Sequence, residues 1–180
     1  DKLAGALDAL TLDVTGLHVL DIGASTGGFT DCLLQRGAFE VTAVDVGKAQ
    51  LDWKIYSDPR VHVRDEVNAR YLTPEDFADP FALVTIDVSF ISLTKVLPAL
   101  KAILKPGGHI LMLVKPQFEL SPSEIERGGL VRDPNKHKKA VSSVKETVLK
   151  LGLEILATTP SVLKGADGNQ EFFLLAKARS

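Results

Sequence analysis

The sequence has 180 residues, of which 45% are hydrophobic and 24% are charged, a composition typical of one globular domain long enough to form a hydrophobic core. The formal net charge of −2 does not demand a polyanionic partner, and no apolar run is long enough to span a bilayer. The single cysteine, Cys32, excludes an internal disulfide and suits a reducing compartment, so we expect a cytoplasmic protein.

The first segment repeats apolar residues at the spacing of a helix, at Leu3, Ala6, Leu7 and Leu10. This pattern is already under way at the start of the sequence. We therefore expect residues 1–15 to be a helix and linker that remain from an absent upstream domain, ahead of a main domain over residues 16–180. A short amphipathic helix that covers the sheet of the main domain is a second interpretation, and the two are compatible.

Residues 19–31, with the sequence VLDIGASTGGFTD, begin as an apolar strand and end as the start of a helix. Between the two lies a turn of small residues. Glycine lets the backbone approach a ligand closely and adopt positive φ, and a helix N-terminus supplies free N–H groups and a partial positive charge. This succession predicts a nucleotide-type cofactor site at the carboxyl edge of a sheet.

Three functional motifs compete for this turn. The dinucleotide fingerprint G-x-G-x-x-G fails, because Ser25 stands where a diphosphate needs the close approach of a second glycine. Residues 23–27 match the nucleophile elbow G-x-S-x-G, but an elbow serine normally follows several earlier strands, and this strand is the first. The preferred interpretation is an S-adenosylmethionine (SAM) loop, in which Asp21 takes the ammonium group of the cofactor. A plain tight β–α turn is the alternative without a ligand.

Six further strands are predicted, at residues 41–45, 61–63, 83–88, 109–114, 153–158 and 171–176. Helical patterns separate most of them, which predicts an α/β sheet with helices on both faces. The turn-rich connection before the last strand allows that strand to pair antiparallel with the sixth. Residues 120–132 have no periodicity and predict a mobile surface loop.

The ends of the predicted helices carry recognisable signals. Gly37 should end the first helix after the glycine-rich turn. A helix over residues 93–104 contains Pro98, which should kink it or mark its first turn, and residues 106–108, Pro-Gly-Gly, should stop it. A later helix should begin at Asp133-Pro134 and stop at Gly152.

Polar residues stand at or near the ends of four predicted strands, where ligands bind in sheets of this kind: Asp21, Asp45, Asp87 and Lys115. The carboxylate of Asp45 can accept hydrogen bonds from both hydroxyls of a ribose, although a helix cap is the alternative. Asn68, after the third strand, could reach an adenine edge, or could be an ordinary turn residue.

Asp87 and Lys115 should be able to pair, because they follow adjacent apolar strands. A lysine that is partly desolvated and near another cation can lose its proton and act as a base. The alternative is a salt bridge at the rim of the sheet, worth about 0–1 kcal/mol. The spacing leaves both interpretations open.

Two motifs are specific: Asp-Val-Ser-Phe-Ile-Ser at residues 87–92 and Lys-Pro-Gln-Phe at residues 115–118. With these motifs the sequence closely resembles the TlyA/haemolysin A family. Members of that family are SAM-dependent ribosomal RNA ribose 2′-O-methyltransferases with an FtsJ-like (RrmJ-like) catalytic domain. The resemblance covers essentially the whole chain and also includes residues 19–31, 43–48, 68–72, 128–134 and 168–172.

The resemblance implies a class I SAM-dependent methyltransferase fold, which is Rossmann-like and has a mostly parallel seven-stranded sheet. It implies a Lys-Asp-Lys-Glu catalytic tetrad, which by motif falls on Lys2, Asp87, Lys115 and Glu171. The expected cofactor is SAM, held by Asp21, Gly23, Ala24, Ser25, Gly27, Gly28, Phe29, Asp45, Asn68 and Asp87. Family members also carry an N-terminal S4-like RNA-binding domain. Residues 1–15 are therefore expected to follow such a domain, and residues 16–180 to be the FtsJ-like domain.

The implied mechanism is a direct displacement, in which Lys115 takes the proton from a ribose 2′-hydroxyl and the oxygen attacks the methyl group in line. Lys2 keeps Lys115 neutral by repulsion between like charges, and Asp87 and Glu171 orient the two lysines. No metal is expected, because the leaving group is a neutral thioether. The expected partner is ribosomal RNA or a ribosomal subunit, and no membrane partner is expected.

Two other functions are carried as alternatives. The family name suggests a membrane-active haemolysin, but the sequence has no secretion signal, no Trp-rich amphipathic helix and no spanning segment. A SAM- and RNA-binding module without catalysis is the second alternative, and the intact acid and lysine positions speak against it.

Overall fold

The computed structural model describes residues 1–48 and 50–180, and in these residues the strands form one seven-stranded sheet. The strands are β1 His18–Ile22, β2 Glu40–Val44, β3 Val61–Arg64, β4 Phe81–Ile86, β5 Leu104–Val114, β6 Glu154–Pro160 and β7 Phe172–Lys177. The helices are α1 Lys2–Ala9, α2 Gly28–Gln35, α3 Trp53–Tyr56, α4 Leu93–Lys101, α5 Pro116–Glu119 and α6 Pro134–Lys150. Short 3₁₀ turns occur at Ala69–Tyr71, Pro74–Asp76 and Pro122–Glu124.

The strand order is β3-β2-β1-β4-β5-β7-β6. Strands β1 to β5 pair in parallel, whereas β7 is antiparallel to both β5 and β6. The predicted α/β fold with a mostly parallel seven-stranded sheet is therefore confirmed, as is the antiparallel last pair. Strand order reverses between β1 and β4, and the carboxyl ends of these two strands flank the point where ligands bind in open α/β sheets.

Alternating side chains of the central strands enter two separate cores, because the strands are buried on both faces. On one face, Ile110 and Met112 of β5 belong to the same cluster as the apolar sides of α4 and α6. On the other face, Leu111 belongs with α1 and α2. Helix α1 covers the sheet, since Leu3 and Leu7 are buried in this second core.

Helix α4 differs from the prediction at both ends. It begins after Ser92, whose side chain accepts a hydrogen bond from the Thr94 N–H, so Pro98 lies inside the helix and does not mark its first turn. It ends at Lys101, and the predicted stop at residues 106–108 lies within β5. There the register shifts against β4, with Leu104 opposite Phe81 and His109 opposite Leu83. The glycines allow this irregularity, with Gly107 at a φ of +76°.

The other predicted helix ends are confirmed. Gly37 follows the last residues of α2 with a φ of +86°. Asp133 caps α6 by accepting from the Asn135 N–H at 2.9 Å, with Pro134 in the first turn. Gly152 follows α6 with a φ of +77°. These local signals fix where the long helix begins and ends.

Candidate active site

The turn between β1 and α2 leaves no room for side chains at two of its glycines. Gly23 has a φ of +83°, and a Cβ at this position would lie 1.8 Å from the carbonyl oxygen of Asp87. Gly27 has a φ of +98°, and a Cβ there would lie 2.8 Å from Leu51. Gly28 faces open space at the start of α2, and no side chain caps this helix. The turn is thus tight against β4 and open toward a ligand, as its small residues predict.

Two of the predicted cofactor-binding residues in this loop, Phe29 and Ala24, have buried side chains. The Phe29 ring is buried and stacks on the Phe173 ring, with centroids 6.1 Å apart. Ala24 is also buried. Only the backbone of these two residues is therefore available to a ligand at the turn. Ser25 is exposed and has a φ of +50°.

Asp21 lies beneath the turn, near the end of β1, and is fully buried. Its two carboxylate oxygens accept hydrogen bonds from the hydroxyls of Thr30, at 2.7 Å, and Thr85, at 2.9 Å. Burial raises the pKa of Asp21 to about 6, and the two hydrogen bonds oppose that shift. Asp21 has no free surface for the ammonium group assigned to it from the sequence. In this conformation it ties β1 to α2 and β4.

A cavity of about 410 Å³ opens beside the turn at the carboxyl ends of β1, β2 and β4. Its size is within the range of small-molecule sites. Five of the predicted residues lie on its wall, and three of them, Asp45, Asn68 and Asp87, supply a carboxylate or an amide. The remaining lining is mostly apolar: Ile22, Val44, Val46, Val67, Ala69, Val88, Phe90, Ile91 and Val96, with Gly23, Ser25 and Ser89. Apolar walls with a few carboxylates and amides suit an aromatic base joined to a sugar.

The helix cap that was the alternative interpretation of Asp45 is not formed, since Asp52 caps the next helix, α3. Asn68 does make the local bond that its alternative interpretation predicts. Asp45 accepts from the Ser25 N–H at 2.7 Å and from the Gly47 N–H at 3.1 Å. Asn68 caps the following 3₁₀ turn by accepting from the Arg70 N–H at 3.1 Å. These bonds do not exclude contact with a ligand, since both side chains remain on the cavity wall.

Asp87 and Lys115 are brought together at the same edge. The Lys115 Nζ lies 2.6 Å from the Asp87 Oδ1 and donates to the Ser89 Oγ at 3.0 Å. The Lys115 side chain is 11% exposed and that of Asp87 is 29% exposed. Because an ion pair with Asp87 and a hydrogen bond to Ser89 hold the ammonium group of a largely buried lysine, its position is defined far better than that of a rim lysine.

Lys2 and Glu171 form the second pair. The Lys2 Nζ donates to the Glu171 Oε1 at 2.7 Å, and the Glu171 side chain is only 3% exposed. The turn before β7 closes on this carboxylate, since a Cβ at Gly165 would lie 2.5 Å from the Glu171 Oε2. Lys2 and Asp87 line one depression together with Gly28. The predicted tetrad is thus arranged as two carboxylate–lysine pairs around the glycine-rich turn.

Sequence reasoning missed two residues of the segment between β4 and α4. Ser89 is bonded to Lys115, although its place in the motif at residues 87–92 was the only signal for it. Phe90 has a φ of +65° and a ring that is 91% exposed, and it contacts Phe118 with centroids 5.1 Å apart. A positive φ at an aromatic residue is rare, and no sequence pattern predicts it.

A basic and aromatic depression lies next to this segment. It is lined by Arg70, Phe90, Ile91, Ser92, Lys95 and Phe118. Arginine, lysine and exposed aromatic rings are the groups that contact phosphates and bases in nucleic acids. A second basic cluster, Lys-His-Lys-Lys at residues 136–139, lies at the start of α6, where Lys139 pairs with Glu124 at 2.6 Å.

The sequence was compared with known protein families and curated proteins. The profile of the FtsJ-like methyltransferase family matches residues 1–178. The 16S/23S rRNA (cytidine-2′-O)-methyltransferase TlyA of Mycobacterium tuberculosis is 45% identical, over 99% of this chain and 67% of the relative. Hemolysin A of Brachyspira hyodysenteriae is 39% identical, over 96% of this chain and 72% of the relative. The chain therefore spans about two thirds of the length of these relatives.

Solved structures agree with the fold. A crystal structure of a Lactococcus lactis protein has a TM-score of 0.95 and 44% identity, and the match covers 98% of this chain and 85% of that one. An S-adenosylmethionine-dependent methyltransferase from Mesorhizobium loti has a TM-score of 0.69 at 16% identity, over 98% of both chains. The second likeness shows the fold alone.

Proposed function

The chain belongs to the FtsJ-like methyltransferase family, and we propose that it transfers a methyl group from SAM to a ribose 2′-hydroxyl of ribosomal RNA. The observation that carries the proposal is the Lys115–Asp87 pair, held at the sheet edge beside the glycine-rich turn. A nucleophilic hydroxyl must lose its proton to attack, and a fixed amine next to the cofactor site is a group able to take it. The resemblance to the TlyA/haemolysin A family, predicted from the sequence, is confirmed by the family match and by the relatives.

The residues around the turn fit SAM. The close packing at Gly23 and the open surface at Gly28 let a ligand approach the backbone and the N-terminal N–H groups of α2. We assign the ribose hydroxyls to Asp45 and the adenine edge to Asn68, because both line the apolar cavity. When bound, SAM supplies an electrophilic methyl group on a positively charged sulfur.

The residues of the site divide the chemical work. The Nζ of Lys115 takes the proton of the 2′-hydroxyl. Asp87 and Ser89 fix the position of this nitrogen. Glu171 holds Lys2, which lines the same depression beside the glycine-rich turn as Asp87. We retain the repulsive effect of Lys2 on Lys115 as part of the proposal.

The partner follows from the relatives and from the surface. The Mycobacterium tuberculosis relative is named for 16S and 23S rRNA, and we propose ribosomal RNA as the substrate of this chain. The depression with Arg70, Lys95 and Phe118 is the surface on which we place the nucleotides next to the target. We further propose that an S4-like domain precedes residue 1 and supplies much of the RNA affinity. In the described part of the chain, no helix is long and apolar enough to cross a membrane.

The test is methyl transfer from tritiated SAM to ribosomes that lack ribose methylation, carried out with the protein including any upstream residues. Wild-type protein should label ribosomal RNA, and Lys115→Ala should lose labelling by about 10²- to 10⁴-fold while SAM affinity by calorimetry stays unchanged. A wild-type protein that binds SAM and RNA but transfers no methyl group would favour a binding module without catalysis. Labelling that survives in Lys115→Ala would overturn the assignment of the base.

A further inference from the structure

Two segments run side by side above the carboxyl edge of the sheet, and both carry proposed catalytic groups. Residues 87–93 connect β4 to α4, and residues 115–119 follow β5. They touch at Lys115 with Asp87 and Ser89, and again where the rings of Phe90 and Phe118 meet. These contacts make the position of Lys115 relative to Asp87 depend on how the two segments are joined.

Glu119 links the two segments at the end farthest from Lys115. Its Oε2 accepts from the Ser92 Oγ at 2.5 Å, and its Oε1 accepts from the Leu93 N–H at 2.7 Å. These donors are at the N-terminus of α4, where a carboxylate is favoured by the free N–H groups and the helix dipole. Glu119 thus caps α4 from another element, with both oxygens engaged. Burial raises the pKa of this carboxyl, and its bonds to Ser92 and Leu93 oppose the shift.

The segment that Glu119 holds is strained. Phe90 has a φ of +65° although it is an aromatic residue. Conformations of this kind are unfavourable for residues other than glycine and persist only where the surrounding contacts determine them. One end of the segment is fixed by β4, where the Asp87 N–H donates to the Ile22 carbonyl at 2.9 Å. The other end is fixed at Ser92 and Leu93, where the bonds from Glu119 add to the Ser92 cap of α4 and the burial of Leu93.

We propose that Glu119 is a positioning residue, which holds residues 87–93 so that Asp87 and Ser89 orient the Lys115 amine. This inference rests on the proposed methyl transfer. Glu119 lies outside the lining of the glycine-rich turn and of the cofactor cavity. Residues 87–91 of the segment that Glu119 holds do line that cavity, however. Loss of Glu119 should therefore lower kcat and also weaken SAM binding to a smaller extent. A small displacement of a reacting group is enough to cost about 10- to 100-fold in rate.

Conservative and disruptive substitutions separate positioning from general destabilisation. Glu119→Ala removes both acceptors and should lower kcat by about 10- to 100-fold, with a smaller rise in the KM for SAM because residues 87–91 also line the cofactor cavity. Glu119→Gln keeps one acceptor for the Leu93 N–H and can donate to the Ser92 hydroxyl, so it should recover most of the activity. Asp133→Ala, which removes the cap of α6, is the matched control and should leave kcat unchanged.

Hydrogen exchange of peptides that cover residues 87–93 gives a readout independent of methyl transfer. Glu119→Ala should accelerate exchange there, and Glu119→Gln should restore it. The inference is overturned if kcat is unchanged in Glu119→Ala, or if kcat falls while exchange in this segment stays as in the wild type. If Glu119→Ala does not fold, Ser92→Ala and Glu119→Gln carry the same comparison. If the wild-type protein transferred no methyl group, the proposed function would be refuted. The exchange comparison would still test whether Glu119 links residues 87–93 to residues 115–119.

Discussion

At the scale of single residues, Lys115 is defined by its neighbours. Its Nζ forms an ion pair with Asp87 at 2.6 Å and donates a hydrogen bond to Ser89 at 3.0 Å. An arginine could keep the ion pair with Asp87 but cannot give up a proton at working pH. Lys115→Arg should therefore lower the rate of methyl transfer about as much as removal of a general base does, roughly 10²- to 10⁴-fold.

Single-turnover methylation at saturating SAM is the measurement for Lys115→Arg. Lys105→Arg, at an exposed position of β5, is the matched control and should retain full activity. An active Lys115→Arg protein would show that the charge matters and the proton does not, and proton abstraction would have to be dropped from the mechanism.

Asp45 is the residue on which the sugar end of the cofactor site depends. It lines the cavity and also accepts from the Ser25 N–H at 2.7 Å. Asp45→Ala should weaken SAM binding by about 1–3 kcal/mol, because a charged hydrogen-bond acceptor is lost. Asp45→Asn keeps one acceptor oxygen and should have an intermediate affinity. Calorimetric titration measures both, and Asp52→Ala, which removes the cap of α3, is the control. Equal affinities in all these proteins would remove Asp45 from the site.

At the scale of elements, what the sequence reveals depends on whether the signal is local. The strands were predicted from apolar runs, the start of α6 from Asp133-Pro134, and the turn after β1 from its closely spaced glycines. Each of these signals determines the backbone conformation of the same residues that carry it. The irregular start of β5 was missed, because Pro-Gly-Gly after a helical pattern is also a typical helix stop. In the structure, pairing with β4 determines that these residues belong to β5.

The candidate site shows the same division. The polar residues at strand ends were predicted from one architectural rule, and Asp87 and Lys115 do meet. Ser89 and Glu119 were not predicted, because their bonds cross between two segments and depend on tertiary geometry. Asp21 was correctly predicted to lie near the end of β1. The sequence carries no sign that the hydroxyls of Thr30 and Thr85 bond to both of its carboxylate oxygens.

The segment over residues 120–132 was predicted to be mobile, and we propose that it closes over the substrate. Gly128 and Gly129 have φ values of +88° and +83°, and the end of the segment is anchored by Asn169. The Asn169 Oδ1 accepts from the Val131 N–H at 2.8 Å, and its Nδ2 donates to the Gly129 carbonyl at 2.9 Å. We therefore expect residues 120–128 to be the part that moves, with the two glycines as its hinge and with release of the Glu124–Lys139 pair.

Hydrogen exchange should be fast in residues 120–128 of the free protein and slow once SAM and RNA are both bound. Asn169→Ala should extend the fast exchange to residues 129–132, whereas Asn135→Ala, at the start of α6, should not. Slow exchange already in the free protein would contradict the proposed closure.

At the scale of the whole molecule, the sheet is covered on both faces, and a buried carboxylate lies at its centre. Asp21 is on β1, opposite Ala43 of β2 and Thr85 of β4. Burial raises the pKa of this group from 3.8 to about 6. The folded state therefore binds this proton more tightly than the unfolded state does. As a result, Asp21 lowers the free energy of unfolding progressively as the pH rises from about 4 to 6. Two pKa units correspond to a loss on the order of 3 kcal/mol.

Asp21→Asn should remove that contribution, because an amide does not titrate, and Thr30 and Thr85 can still be bonded by its oxygen and its nitrogen. Urea unfolding between pH 4 and 7 measures the effect: relative to wild type, the stability of Asp21→Asn should rise with pH through this window and then level off. Asp31→Asn, at a half-buried carboxylate bonded to Gln35, is the control and should keep the wild-type pH dependence. If wild type and Asp21→Asn changed in parallel across the window, Asp21 would have to be ionised in the folded state at pH 4. The bonds from Thr30 and Thr85 would then outweigh its burial, and Asp21 would act as a buried anion below the glycine-rich turn.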